Sequence, residues 1–254
     1  RQHTMNKALH TEFQKAHRRH DLWICLAVPL AAAIWSASAM PRGADELANA
    51  YSALLYSLPV LNTVLMPLAM AALASRLWDV EVKGCTVKLL YALQTRRSLF
   101  AAKAVFGAGE ILLMVLLELA ATALLGYIQH YTEAFPAAQL AYLGVCTYGV
   151  NLMLFFSELL LMLVFSNPMP ALCVAIVGTL LGLFSAFMPR LVSYFVPWGY
   201  YVPLGCYEID VWNEAEHTVL YGMTRYNWGL LGFTMLLAAL LFAAAWQLIR
   251  NKEV

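Results

Sequence analysis

Six long apolar runs divide the chain, at 22–40, 54–77, 104–128, 139–165, 169–188 and 228–249. Each is long enough to cross a hydrocarbon core of about 30 Å as a helix rising about 1.5 Å per residue. The segments between them differ in kind. Residues 5–21 (MNKALHTEFQKAHRRHD) place Leu9, Phe13, Ala16 and His20 at helical spacing beside Lys15, Arg18 and Arg19. That pattern predicts an amphipathic helix lying on the membrane face. Residues 76–103 (RLWDVEVKGCTVKLLYALQTRRSLFAAK) are basic with an amphipathic middle, and predict a short helix on the same face. Residues 189–227 start apolar and proline-broken, then become acidic and aromatic.

The expected fold is therefore an all-α polytopic membrane protein with six transmembrane helices. The whole chain, 1–254, reads as a single transmembrane domain. Its composition agrees: 254 residues, 62% hydrophobic and only 12% charged, with a mean hydropathy of +0.67. Soluble domains are usually about 25% charged. The net charge of +1 hides an uneven distribution. Residues 1–21 carry five Lys or Arg, 76–103 carry six and the tail carries two, thirteen in all. The opposite loops carry three, Arg42, Arg190 and Arg225. Basic residues are retained in the cytosol, so both termini are expected there.

The outer segment 189–227 has two parts. Through Pro203 it is too apolar to be solvated and, with three prolines, too broken to span. It reads as a re-entrant helical hairpin before the last span, with Trp198 and Tyr200 at its turn. Trp198, Tyr200, Tyr201 and Tyr207 then form either an interfacial aromatic belt or, with Pro197, a gate over an exit path. The second part, with Glu208, Asp210, Glu214 and Glu216, is expected to be solvated.

Three acids fall inside spans: Glu110, Glu118 and Glu158. A charge at the bilayer centre costs about 2.5–3.5 kcal/mol on insertion scales, so each should face other helices or water, or be protonated. Counting residues from the span ends puts Glu110 and Glu158 at similar depth, and Glu118 level with Asn151. A Glu118–Asn151 hydrogen bond is one reading. An acidic patch of Glu110 and Glu158, facing a cationic substrate or Lys103, is the other. Gly178-xxx-Gly182 is a close-packing motif, usable within one chain or between two.

Several chemistries lack their residues. The sequence has no GxxxxGK[ST] loop for ATP, no HExxH, no GxSxG and no paired intramembrane aspartates. The five cysteines have no metal-ligand spacing, and His17 and His20 have no acid or cysteine ligand beside them. No metal, no cofactor bound by this chain and no nucleic-acid partner is expected. Cys206 stands alone in the outer segments, so no disulfide within one copy is expected.

One order of features carries a resemblance. Glu12 and Lys15 lie on the N-terminal amphipathic stretch. Pro29 comes early in the first span and Pro67 in the second. Glu81, Lys88-Leu-Leu, a basic turn ending in Arg97, and Lys103 opening the third span follow. Pro197-Trp198 comes after the fifth span. In this order and spacing the chain resembles the ABC-2 type permeases of the lantibiotic immunity and protection family, with a type V exporter-like fold. The turn Gln94-Thr-Arg-Arg97 lacks the proline such permeases often have.

The resemblance implies a permease half that pairs with a second copy or a paralogue in the plasma membrane. Separate ABC ATPase subunits would bind ATP and Mg and dock below. Glu81, Lys88, Arg96, Arg97 and Lys103 would lie on the coupling loop that meets them. Glu110, Glu118, Asn151 and Glu158 would be candidates for the substrate path, and antimicrobial peptides the cargo. Two other readings stay open at this point: a permease for another amphipathic cargo, such as a drug or lipid-like compound, and a non-transporting membrane sensor subunit.

Overall fold

The structure is a computed structural model that describes residues 21–38, 43–83, 96–165, 167–213 and 218–251. In chain order its helices are α1 (Asp21–Ser38), α2 (Ala44–Ala48), α3 (Ala50–Lys83), α4 (Arg96–Ile128), α5 (Ala137–Phe165), α6 (Pro168–Ala186) and α7 (Arg190–Ser193). A 3-10 turn at Pro197–Gly199 follows, then strands β1 (Tyr207–Asn213) and β2 (Thr218–Met223), and finally α8 (Trp228–Asn251). Of the amphipathic helix expected at 5–21 only Asp21, the first residue of α1, is among the described residues, and Lys88 lies outside them.

Five helices, α3, α4, α5, α6 and α8, are long and apolar enough to cross a membrane. The first expected span is a shorter apolar helix, Leu22–Ser38. Helices α3 and α4 run further than their apolar cores, to Lys83 and from Arg96, so both ends of the basic segment 76–103 are helical.

Local chemistry sets the element ends. Asn167 caps α6, its side chain accepting from the Met169 N–H at 3.0 Å, and Pro168 opens the first turn, where its missing N–H costs nothing. Asn227 does the same for α8, accepting from the Leu230 N–H at 3.1 Å. The start of α3 is held by a carboxylate from another loop: Glu133 accepts from the Ser52 N–H at 3.0 Å and from the Ser52 hydroxyl. A negative charge is favourable at that helix terminus. Within α3, Pro59 and Pro67 each lack the N–H of the ladder. The Thr63 hydroxyl donates to the Pro59 carbonyl at 2.9 Å, and the helix continues through.

Helix α5 is central and packs against α3, α4, α6 and α8, while α1 packs on α3 and α4. Met66, Met70 and Leu73 of α3, Ile111 of α4, and Val150 and Phe155 of α5 are fully buried between them. The outward surface is also apolar. Leu116 of α4, Ile176 and Phe184 of α6, and Leu236 and Leu240 of α8 are 45–64% exposed. Apolar residues repeated along whole helices inside and out fit a lipid surround rather than water.

Among the described residues, the departure from helix is the antiparallel hairpin β1–β2. Its register runs from Tyr207 opposite Met223 to Asn213 opposite Thr218, with an irregularity at Asp210 between Ile209 and Val211. It lies where a solvated loop was expected. Alternation of acidic and apolar residues from Tyr207 to Trp212 suits a strand with two unlike faces. The hairpin packs on the start of α3, where the rings of Tyr221 and Tyr56 lie 5.3 Å apart. This end of the bundle is here the hairpin end; Arg76, Arg97 and Arg250 belong to the opposite, basic end.

Candidate functional site

The segment between α6 and β1 folds back into the bundle, but not as the helical hairpin its composition suggests. The short helix α7 stops at Ser193, and Pro197 starts a single 3-10 turn. Behind it, Tyr200, Tyr201, Leu204 and Cys206 are 0–2% exposed. The Tyr200 hydroxyl donates to the Tyr194 carbonyl at 2.8 Å, closing the segment on itself. Pro197 and Trp198 are partly buried.

The seat for this turn is the small-residue seam of α6. A Cβ on Gly178 would overlap the Trp198 indole. A Cβ on Gly182 would lie 2.9 Å from the Thr63 methyl and 3.0 Å from the Trp198 carbonyl carbon. Gly199 returns the fit, since its own Cβ would overlap the Ser185 hydroxyl. Gly178 and Gly182 thus pack against the turn of their own chain.

From the turn, Tyr201 points deeper. Its hydroxyl donates to Asn151 Oδ1 at 2.5 Å, and Asn151 Nδ2 contacts Met66 Sδ at 3.5 Å. Asn151 is the middle residue of α5, about 21 Å from either end at about 1.5 Å per residue. The expected Glu118–Asn151 bond is replaced by this one. Gly144 of α5 meets Leu119 of α4, with 2.6 Å from its would-be Cβ to Leu119 Cδ1. Glu118 is therefore about seven residues, or about 10 Å, nearer the hairpin end than Asn151. The Glu118 neighbour is Asn62 of α3, which the sequence reading passed over, and its carboxyl also feels Tyr201. Glu118 is 3% exposed and Asn62 is fully buried. Tyr201, Asn151, Asn62 and Glu118 make a buried polar column inside an apolar bundle.

The other two acids do not share a level. A Cβ on Gly107 of α4 would overlap the Phe155 ring of α5, which sets the antiparallel register. Glu110 lies three residues beyond Gly107 toward the hairpin end, and Glu158 three beyond Phe155 toward the basic end. They are about 9 Å apart along the axis. Both are buried, at 6% and 1% exposed. The single acidic patch of the sequence reading is thus two separate levels.

At the basic end, Lys103 is not on an exposed loop. It is fully buried, and its ammonium donates to the Leu77 carbonyl, tying the last turns of α3 to the start of α4. Lysine reaches this place because its four-carbon stem packs as apolar surface while its head finds an acceptor. Arg97 is exposed on the first turn of α4. Glu81 and Arg96 sit on the helical ends flanking the undescribed middle of the segment, and Lys88 falls within that middle.

A family model described as ABC-2 family transporter protein matches residues 8–182. This stretch runs from the N-terminal polar segment through Gly182, and so includes Asn62, Lys103, Glu118, Asn151 and the glycine seam. No curated protein matches the chain.

Proposed function

Because the chain belongs to the ABC-2 family of transporter proteins, and is a multi-pass membrane protein, we propose that it is the permease half of an ABC exporter for antimicrobial peptides of the lantibiotic type. It pairs with a second permease, identical or related, across the membrane. Separate ATPase subunits bind ATP and Mg below the basic end. In this reading α1 is the first of six spans, both termini are cytosolic and the membrane is the plasma membrane. Residues 1–254 act as one permease domain.

Segment 194–206 is a re-entrant cap in this account, and the Tyr201–Asn151 contact is the observation that carries it. A loop whose hydroxyl reaches mid-bundle closes the path along the helix interior. Non-helical backbone is tolerated at such depth only where protein or water covers it, and here the buried aromatics do so. Pro197, Trp198, Tyr200 and Tyr201 are the gate. The helical ends at Glu81 and at Arg96 and Arg97, with Lys88 between them, are where ATPase closure pushes. Lys103 transmits the push by joining α3 to α4 rather than by touching the ATPase. Glu110, Glu118, Asn151 and Glu158 lie along the interior that cargo crosses.

The test is protection. The permease and the ATPase encoded beside it are expressed in a host sensitive to a cationic lantibiotic. Survival at higher peptide concentration is expected, and is lost when the ATPase P-loop lysine is replaced. Equal sensitivity with and without the pair, at verified membrane levels, contradicts the reading.

A further inference from the structure

Beyond the end of α6 the chain carries apolar side chains for which no span is left. Helix α6 has 19 residues, about 28 Å at about 1.5 Å per residue, and so takes up a hydrocarbon core of about 30 Å by itself. Its exposed side chains include Ile176, Leu180 and Phe184. A spacing of three or four residues continues past the helix end: Phe187, Leu191 and Phe195 are 72–80% exposed, with Met188 and Val192 exposed beside them. Over this stretch the backbone bonds to itself. The N–H groups of Phe187, Met188, Val192 and Phe195 donate to the carbonyls of Phe184, Ser185, Pro189 and Val192 at 2.9–3.2 Å. Polar groups of the same segment are held by protein. Ser193 is buried, the Tyr194 carbonyl accepts from the Tyr200 hydroxyl at 2.8 Å, and the Tyr194 hydroxyl accepts from the Asn227 amide at 3.3 Å.

We propose that residues 187–195 are an interfacial foot, lying along the leaflet at the hairpin end where headgroups meet acyl chains, with lipid as their partner. Apolar side chains exposed in number mark a partner or a lipid surface rather than a solvated loop. Lipid fits because the spacing continues that of a helix side already exposed along a membrane-crossing length. It also fits because the segment spends its backbone N–H groups internally, which water does not require and lipid does. An element with one apolar side and one polar side settles in the plane of that boundary. The foot carries Tyr194, and the Tyr194 carbonyl holds the Tyr200 hydroxyl, so the foot seats the gate on the leaflet. The lipid contact rests on the foot's own residues; only its effect on the gate rests on the export reading.

The test is spin-label accessibility in the permease assembled with its ATPase subunits in vesicles of phosphatidylglycerol and phosphatidylcholine. Cys85 and the exposed Cys173 are replaced by alanine, while Cys25, Cys146 and Cys206 are buried and stay. A nitroxide is placed in turn on Leu191→Cys and Phe195→Cys. Leu240→Cys, exposed near the middle of α8, is the hydrocarbon reference, and Trp212→Cys, exposed on β1, is the water reference. Collisions with oxygen, which concentrates in lipid, are compared with collisions with a neutral nickel chelate, which stays in water. The oxygen-to-nickel ratio at both foot positions should exceed that of Trp212→Cys severalfold and fall below that of Leu240→Cys, as a shallow lipid position requires. A ratio equal to that of Trp212→Cys overturns the proposal, because the segment is then a solvated loop. Poor access of both reagents also overturns it, by assigning the stripe to protein, a second copy of the chain included. The effect on the gate is read separately: Phe195→Asp should raise basal ATPase activity without cargo. Lipid-like ratios with unchanged basal activity would count against the gate and leave the foot standing.

Discussion

The Tyr201 hydroxyl donates to Asn151 Oδ1 at 2.5 Å, across fifty residues of sequence and at the midpoint of the most central helix. A loop residue and a mid-membrane amide are thereby one unit. Tyr201→Phe removes the donor and leaves a buried acceptor unsatisfied, at a cost of about 1–3 kcal/mol. The unfolding midpoint of the assembled complex should fall accordingly, and basal ATPase activity without peptide should rise because the cap is looser. An unchanged midpoint together with unchanged basal activity would show that the bond holds nothing.

The glycine seam makes a sharper test, because it predicts non-additivity. Gly178→Ala places a methyl group where the Trp198 indole sits. Overpacking of this kind costs about 1–3 kcal/mol. On a Trp198→Ala background the space is already open, so the same substitution should cost much less. A double-mutant cycle on thermal stability reads the difference directly. Additive effects would mean that α6 and the turn do not touch as described.

Lys103 and Arg97 should separate, although both come from one basic stretch. Lys103→Ala removes the ammonium that bonds the Leu77 carbonyl and opens a hole between α3 and α4, a loss of about 1–3 kcal/mol of stability. Arg97→Ala, at an exposed position, should leave stability within about 0.5 kcal/mol and instead reduce recovery of the ATPase on affinity purification. The reverse assignment of effects would place Lys103 at the ATPase contact and Arg97 in the fold.

Membrane sidedness is checked by thiol labelling. Trp212→Cys, at an exposed position on β1, should react with an impermeant maleimide in whole cells, and Arg97→Cys only after permeabilisation. Native Cys206 should stay silent in both. It is fully buried, and burial pushes its thiol up to about 11, so almost no thiolate exists at neutral pH. Labelling of Arg97→Cys in intact cells would invert the topology.

Much of this architecture is written in the apolar runs. Each of the six expected spans overlaps a helix, five of them long and apolar enough to cross a membrane and the first a shorter apolar helix, because in lipid a helix satisfies the backbone of an apolar run internally. What was not legible is lateral. Residue counting put Glu110 level with Glu158, yet the register of α4 on α5 is fixed by Gly107 under Phe155 and Gly144 under Leu119, contacts that no count from span ends reveals. The glycine pair was visible as a close-packing seam, but its occupant, Trp198, lies in a different segment. Asn62 was legible and missed, since a lone amide between two prolines stands out once amides are weighed beside acids. The hairpin was legible too: alternation from Tyr207 to Trp212 is a strand signal that four nearby acids made look like solvated loop. Lys103 illustrates the limit of charge counting, which locates a lysine in a loop or helix but not its head on a particular carbonyl.

The most direct measurement is ATP-driven movement of peptide by the purified complex. Permease and ATPase are reconstituted into liposomes, and a fluorescent cationic lantibiotic is followed across the bilayer. Transport is expected only with ATP and Mg, faster for the native peptide than for its lysine-acetylated form, and reduced by Glu118→Gln with the complex intact. Peptide movement indifferent to ATP, in a complex that still hydrolyses it, would contradict the account.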